Sequence, residues 1–357
     1  MSASADTVFK KGEGRTASYP VTAATKLYQG SMISVVDGNA KALADGEKFV
    51  GHCVAQIDNL LGLAGALNVE TLRGEEGKYS LQVALPKVNA LMVGAYVYAI
   101  DDNTYTLAPM RTPVGKVVQF VSTGVALVEF DVNLSRQSMN ANGVFMPFRT
   151  APVGAASAAL GTQFIHTVVD GDSDAAHYIK GISAARSEHY NSGIIIHTND
   201  KAGDGSSIQL NGEPFYLDSA SKPFFFGTRL KLSDVVKPVV FVGIAITDTT
   251  LTAGCTDDIS FRKLTDSAEV KLYVEKNNTE TVSGAAEVSV VNDTYVNLAF
   301  VYDGTNVIPF VNGAAGTALA VTNLPNDELL TLSIEILNVE AAVKDLTIAF
   351  VDAYQLV

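Results

Sequence analysis

Five histidines (His52, His166, His177, His189 and His197) and two cysteines (Cys53 and Cys255) are the side chains of this 357-residue sequence best suited to metal binding or nucleophilic chemistry. Their spacing does not assemble a known site. A zinc centre needs His or Cys in close pairs, and neither His-Glu-x-x-His nor Cys-x-x-Cys occurs. His52 and Cys53 are adjacent, but neighbours on a strand point to opposite faces, which separates them as a catalytic dyad. Asp170-Gly-Asp172-Ser-Asp174 begins like a calcium loop, yet Ala175 and Gly181 stand where an EF-hand needs its sixth-position Gly and twelfth-position Glu. Thr256-Asp257-Asp258 and Asn199-Asp200 invite the same comparison, and solvated acidic turns account for all three. The GKVVQF run at Gly115 lacks the spaced glycines of a phosphate cradle, and no Gly-x-Ser-x-Gly elbow is present. A glycosidase needs two carboxylates facing a cleft; carboxylates are plentiful, but nothing in their spacing selects a pair. The expectation is a chain with no enzymatic activity, no catalytic residue, no metal ligand and no cofactor.

The elements that would position any site are strands. Residues 16–133 consist of short apolar or alternating runs broken by Gly, Asn and Asp: Leu27–Val36, Lys48–Ile57, Lys78–Leu85, Leu91–Ile100, Val114–Val121 and Gly124–Val132. Such spacing predicts a compact barrel or sandwich. Leu60–Asn68 (LLGLAGALN) reads as a short helix or a buried loop, which periodicity does not decide. Residues 134–161, rich in Ala, Gly, Ser and Pro, read as a linker. Residues 162–357 carry longer runs: Ser192–His197, Pro223–Leu232, Val239–Thr247, Val270–Glu275, Tyr295–Tyr302, Asn306–Asn312, Leu330–Leu337 and Leu346–Leu356. These predict a two-sheet jelly-roll sandwich. The fold class is all-β: a small barrel-like domain over 16–133, preceded by a flexible arm over 1–15 and followed by the sandwich. The two cysteines, far apart, read as small buried hydrophobes rather than a disulfide.

Charge sets limits on partners. Lys plus Arg equal Asp plus Glu, 13 of each, over residues 1–160, while the remainder carries 12 against 25. A net charge of −13 argues against a nucleic-acid partner. No run of about 18 apolar residues reads as a membrane span, and no secretory signal is visible. The absence of Trp weakens a sugar-binding reading of the sandwich, and Phe224-Phe225-Phe226 reads chiefly as core packing.

The first domain resembles the cement, or decoration, proteins of tailed-phage capsids, with a barrel-like domain of β-tulip type. The likeness lies in five pieces in order: Gln29-Gly30-Ser31-Met32-Ile33; Phe49-Val50-Gly51-His52-Cys53-Val54-Ala55 followed by Asp58; Gly77 to Pro86; Val93-Gly94-Ala95-Tyr96-Val97-Tyr98; and the pair Pro113–Val117 and Ala126–Phe130. Ser31 and Ala95 depart from the Asp often found there, and LLGLAGALN lengthens the loop after Asp58. The second domain resembles concanavalin-like or laminin-G-like sandwiches, through Phe241–Ala245, Asp257–Phe261, Leu298–Gly304 and Pro309–Gly313. The resemblance implies a virion protein on the outer capsid surface, assembled in the host cytoplasm. It would bind the major capsid protein as a homotrimer and stabilise the expanded shell, with the sandwich facing outward. Within that picture Lys10, Lys11 and Arg15 of the arm are the expected capsid contacts. The alternative is a glycan-binding module of a phage head fibre or tail adhesin, with surface glycans as the partner of the sandwich.

Overall fold

The computed structural model describes residues 15–135, 142–147, 164–169, 178–182, 193–217 and 222–356. The chain divides between Ala141 and Asn142 into two compact units. Lys10 and Lys11, the Asp170–Asp174 run, His177 and His189 lie outside the described residues. No helix among the described residues is long and apolar enough to cross a membrane.

The first unit is not a closed barrel. Among the described residues it has two five-stranded antiparallel sheets and a two-stranded one, Thr25–Leu27 with Ile57–Asn59, the compact all-β unit that the sequence predicts. One sheet runs in the order Thr16–Pro20, Asn68–Leu72, Phe49–Cys53, Met32–Val36, Asn39–Ala42; the other runs Tyr105–Thr106, Tyr96–Ala99, Thr112–Ser122, Val125–Asp131, Lys78–Ala84. The strand Phe49–Cys53 is buried along its whole length. It tolerates this because Gly51, at φ 133°, sits beside a register shift between Ile33 and Ser34; a Cβ at Gly51 would lie 2.3 Å from the Leu72 carbonyl oxygen. Alternation then sends Cys53 into a cluster with Val21, Leu27, Ile33 and Val69, and His52 to the opposite face.

Leu60–Asn68 forms neither a helix nor a buried loop. Its turns are closed by Gly62 N–H to Asn59 O (3.1 Å) and Ala66 N–H to Leu63 O (3.1 Å). Leu60, Leu61, Leu63 and Leu67 remain exposed. Backbone pairing of Val21 with Leu67 and Gly65 holds the loop, so its apolar side chains are left facing water.

The second unit is a jelly-roll sandwich of two nine-stranded antiparallel sheets among the described residues. One sheet is centred on Phe224–Leu232, Val296–Tyr302 and Asp345–Gln355; the other on Gly205–Leu210, Leu329–Leu337, Val239–Ala245, Asp258–Lys263 and Glu269–Lys276. Alternate residues interdigitate between them: Phe224, Phe226, Leu298, Phe300 and Ile348 meet Val242, Ile259, Phe261, Leu272 and Ile334. Full burial of each such side chain contributes roughly 2–3 kcal/mol. All three phenylalanines of the 224–226 run are buried; Phe225 faces away from this core and stacks on Tyr354 at 4.6 Å between centroids. The Asn312-Gly313 hairpin works as its sequence requires, with both residues at positive φ (48° and 83°). Asn142–Pro147, inside the stretch read as linker, is a strand antiparallel to Phe350–Gln355 and belongs to the sandwich unit.

Candidate functional site

Two buried polar clusters stand out, one in each unit. In the first, His52 is wedged between the sheets. Its Nδ1 lies 2.6 Å from Tyr79 Oη and its Nε2 2.7 Å from Tyr105 Oη, with Phe49 and Phe130 against the ring. Burial pulls the His52 pKa down to about 3, so the ring is neutral, with one nitrogen donating and the other accepting. Every polar atom of the trio has a hydrogen-bond partner within it. Cys53 points the other way, so no dyad forms.

The second cluster occupies the outer face of the sandwich sheet that carries Asp258–Lys263. Because Ile259 and Phe261 face the core, Asp258, Ser260 and Arg262 share the opposite face. Register places Glu275 beside Asp258 and Tyr273 beside Ser260 on the next strand, and Glu280 beside Glu275 on the one after. Arg262 organises the group. Its Nη2 donates to both Asp258 Oδ2 and Glu275 Oε2, its Nη1 to Glu280 Oε1 (2.7 Å) and its Nε to Ser260 Oγ (3.0 Å). The guanidinium stacks between the rings of Phe241 (5.5 Å) and Tyr273 (4.6 Å). Burial, with Glu275 alongside, pushes the Asp258 carboxyl up against the pull of Arg262.

The same face continues across the sheet as Phe241, Gly243, Ser333, Glu335, Ser207 and Gln209. Gln209 Nε2 donates to Ser333 Oγ (2.8 Å) and to the carbonyl of Ile246 (3.0 Å). The short helix Leu251–Gly254 lies over this end: Leu251 and Cys255 pack on Phe241 and Ala245, and Thr252 donates to Glu335 through its N–H (3.0 Å) and its hydroxyl (3.2 Å). Burial raises the Glu335 carboxyl despite those bonds. The face is therefore covered at the Glu335 end and open at the other, where the Glu280 side chain is 41% exposed while that of Asp258 is wholly buried.

Chemically, the cluster offers a positive fork flanked by two rings and three carboxylates, with an excess of negative charge. Sequence reasoning flagged Asp257-Asp258 as an acidic turn but missed Arg262, Tyr273, Glu275, Glu280 and Glu335. The available signal was polar residues at alternate positions, Asp258, Ser260 and Arg262, within an otherwise apolar strand. Among the described residues, which include Asn199-Asp200 and Asp257-Asp258 but not Asp170–Asp174, no group of three or more His, Cys, Asp and Glu is placed to hold a metal. Asp257 instead accepts from Asn277 N–H (3.1 Å) and Thr256 Oγ1 (2.7 Å). Of the three arm residues named as contacts, Arg15 is described, and its carbonyl pairs with the Arg73 and Gly74 N–H groups.

No protein-family model matches the chain, and no curated protein matches its sequence. Among solved structures it is similar to a glycoside hydrolase family 16 endo-glucanase from Bacteroides ovatus, with 8% identity and a TM-score of 0.41 over 59% of this chain and 99% of that one. It is also similar to the Bacillus licheniformis β-glucanase (11% identity, TM-score 0.40, 61% and 100% covered) and to the carbohydrate recognition domain of Emp46p in its metal-free form (9% identity, TM-score 0.38, 59% and 98% covered). The likeness is one of fold alone. Several of these proteins are glycoside hydrolases, so the expectation that the chain has no enzymatic activity finds no support in them. A capsid cement fold is not among these likenesses.

Proposed function

We propose that the sandwich is a glycan-binding module that takes neutral sugars on the outer face of its Asp258–Lys263 sheet. The carrying observation is the edge of the Arg262 cluster, where the 41% exposed Glu280 carboxylate stands on paired strands beside the largely buried Arg262 guanidinium and the buried Tyr273 ring. An exposed carboxylate held by a guanidinium can accept from paired sugar hydroxyls, and the cluster behind it keeps it in place. Three carboxylates against one guanidinium leave the face negative, which disfavours uronate and sulfated sugars. Strands hold the groups in place more firmly than a loop could. A glycan array probed with the intact chain tests the reading. Binding confined to neutral oligosaccharides, weakened at least tenfold by Glu280→Ala, is expected. Binding to none, or chiefly to acidic glycans, overturns it. Assaying the bound glycans for reducing-end release shows whether binding is accompanied by cleavage.

The exposed Leu60–Leu67 loop favours a second reading for the first unit, attachment to a protein surface such as a phage shell. Cosedimentation with expanded capsids but not with unexpanded ones, abolished by Leu61→Ser with Leu63→Ser, is the expected outcome. Equal binding by that variant argues against it.

A further inference from the structure

The first unit contains a cavity of about 300 Å³ at the edge where the strand Thr16–Pro20 meets the end of Asn68–Leu72. Arg15 and Arg73 line it, together with Glu76, Asn133, Gly74 and Gly77. The register Thr16 to Leu72, extended one residue by the Arg73 N–H to Arg15 O bond (2.9 Å), sets the two arginines directly opposite each other. Like charges in that position are destabilising unless something lies between them. No carboxylate among the described residues forms an ion pair with either; Glu76 lines the cavity without reaching them. Arg73 Nε is buried and lacks a hydrogen-bond partner. A buried N–H left without an acceptor costs about 1–3 kcal/mol, and such a group points to an absent acceptor. Two glycines of the lining, Gly74 and Gly77, have positive φ, and a Cβ at Gly77 would lie 2.5 Å from Asn133 Nδ2, so this stretch packs too closely for a side chain there. Asn133 is itself held by the Glu76 carbonyl (2.9 Å), so the floor is fixed.

We propose that this cavity binds an oxyanion, a phosphate or carboxylate group carried on a small molecule, gripped between the guanidinium groups of Arg15 and Arg73. The guanidinium fork matches either anion in bidentate fashion. The volume exceeds that of the anion alone and sits at the lower end of the range for small-molecule sites. The site is independent of the glycan reading, because every residue in it belongs to the first unit.

Titrating the intact chain with inorganic phosphate, and separately with succinate, tests the proposal by calorimetry and by NMR of the arginine Nε–H signals. Saturable binding of at least one, with a shift of the Arg73 Nε–H resonance, is expected, and whichever binds more tightly identifies the group. Arg73→Ala should weaken it at least tenfold and Arg73→Lys less. If Arg73→Ala is poorly folded, Arg15→Ala serves in its place. Added anion should also raise the thermal midpoint of the wild type and leave that of the alanine variant unchanged. No saturable binding of either anion, or equal binding by wild type and both alanine variants, overturns it.

Discussion

The two units bury polar clusters by opposite means. The first centres on a neutral ring: His52 is discharged by burial and shared between two tyrosine hydroxyls. The second centres on a fixed cation, Arg262, with carboxylates gathered around it. A neutral cluster can be closed on all sides, because its few donors and acceptors satisfy one another. An ionic one with surplus carboxylates needs a route to solvent, and Glu280 provides it. That difference is why the second cluster, and not the first, reaches the surface through a carboxylate.

The comparison breaks hardest at Arg262. Arg262→Leu leaves Asp258 and Glu275 buried without their cation and should destabilise the sandwich by about 3–5 kcal/mol, read from hydrogen exchange of its central strands in urea. His52→Leu strands two buried tyrosine hydroxyls and should cost the first unit about 2–4 kcal/mol, with no change in exchange of the sandwich. A loss shared equally by both units in either variant contradicts their treatment as separate cores.

The two clusters should also respond to pH with opposite sign. His52 has a folded pKa below its unfolded value. Below about pH 6.5 the unfolded chain takes up the proton first, so the first unit loses stability as pH falls from there toward about 3, by up to about 1.4 kcal/mol per pH unit. Asp258 and Glu335 have raised pKa values, so the folded sandwich holds their protons longer. Their contribution is greatest at low pH and is lost as pH rises from the ordinary carboxylate range through the raised values. Asp258→Asn should flatten the second trend and leave the first intact; segment-resolved hydrogen exchange between pH 5 and 8 separates them. A smaller effect is expected at the boundary. A sandwich fragment that begins before Asn142 should be more stable than one that begins at Thr162, because the shorter piece loses the strand paired with Phe350–Gln355; equal urea midpoints contradict this.

Much of the scaffold was legible in the sequence. The Asn312-Gly313 hairpin, the alternation of Lys78–Ala84 and the long apolar strands of the sandwich each carry a local signal that tertiary contacts do not override. Four features were not legible. Leu60–Leu67 has core composition, yet Gly62 and Gly65 place it in turns held by backbone bonds, where its side chains have nothing to pack on. Asn142–Pro147 is a six-residue run without alternation beside low-complexity sequence, and only its pairing with the final strand defines it. The Arg262 cluster depends on register, because Glu275 and Glu280 lie 13 and 18 residues from Arg262 and meet it only through strand pairing. The Arg15–Arg73 pair is likewise made by register across distant segments.

Hydrogen exchange of the intact chain, with and without a saturating neutral glycan chosen from the array, tests the proposed function most directly. Slowed exchange confined to Glu269–Lys276 and Thr279–Val282, absent in Glu280→Ala, is the predicted result. Protection that falls on the first unit, or on the sandwich sheet centred on Phe224–Leu232, would contradict the assignment of the Arg262 face.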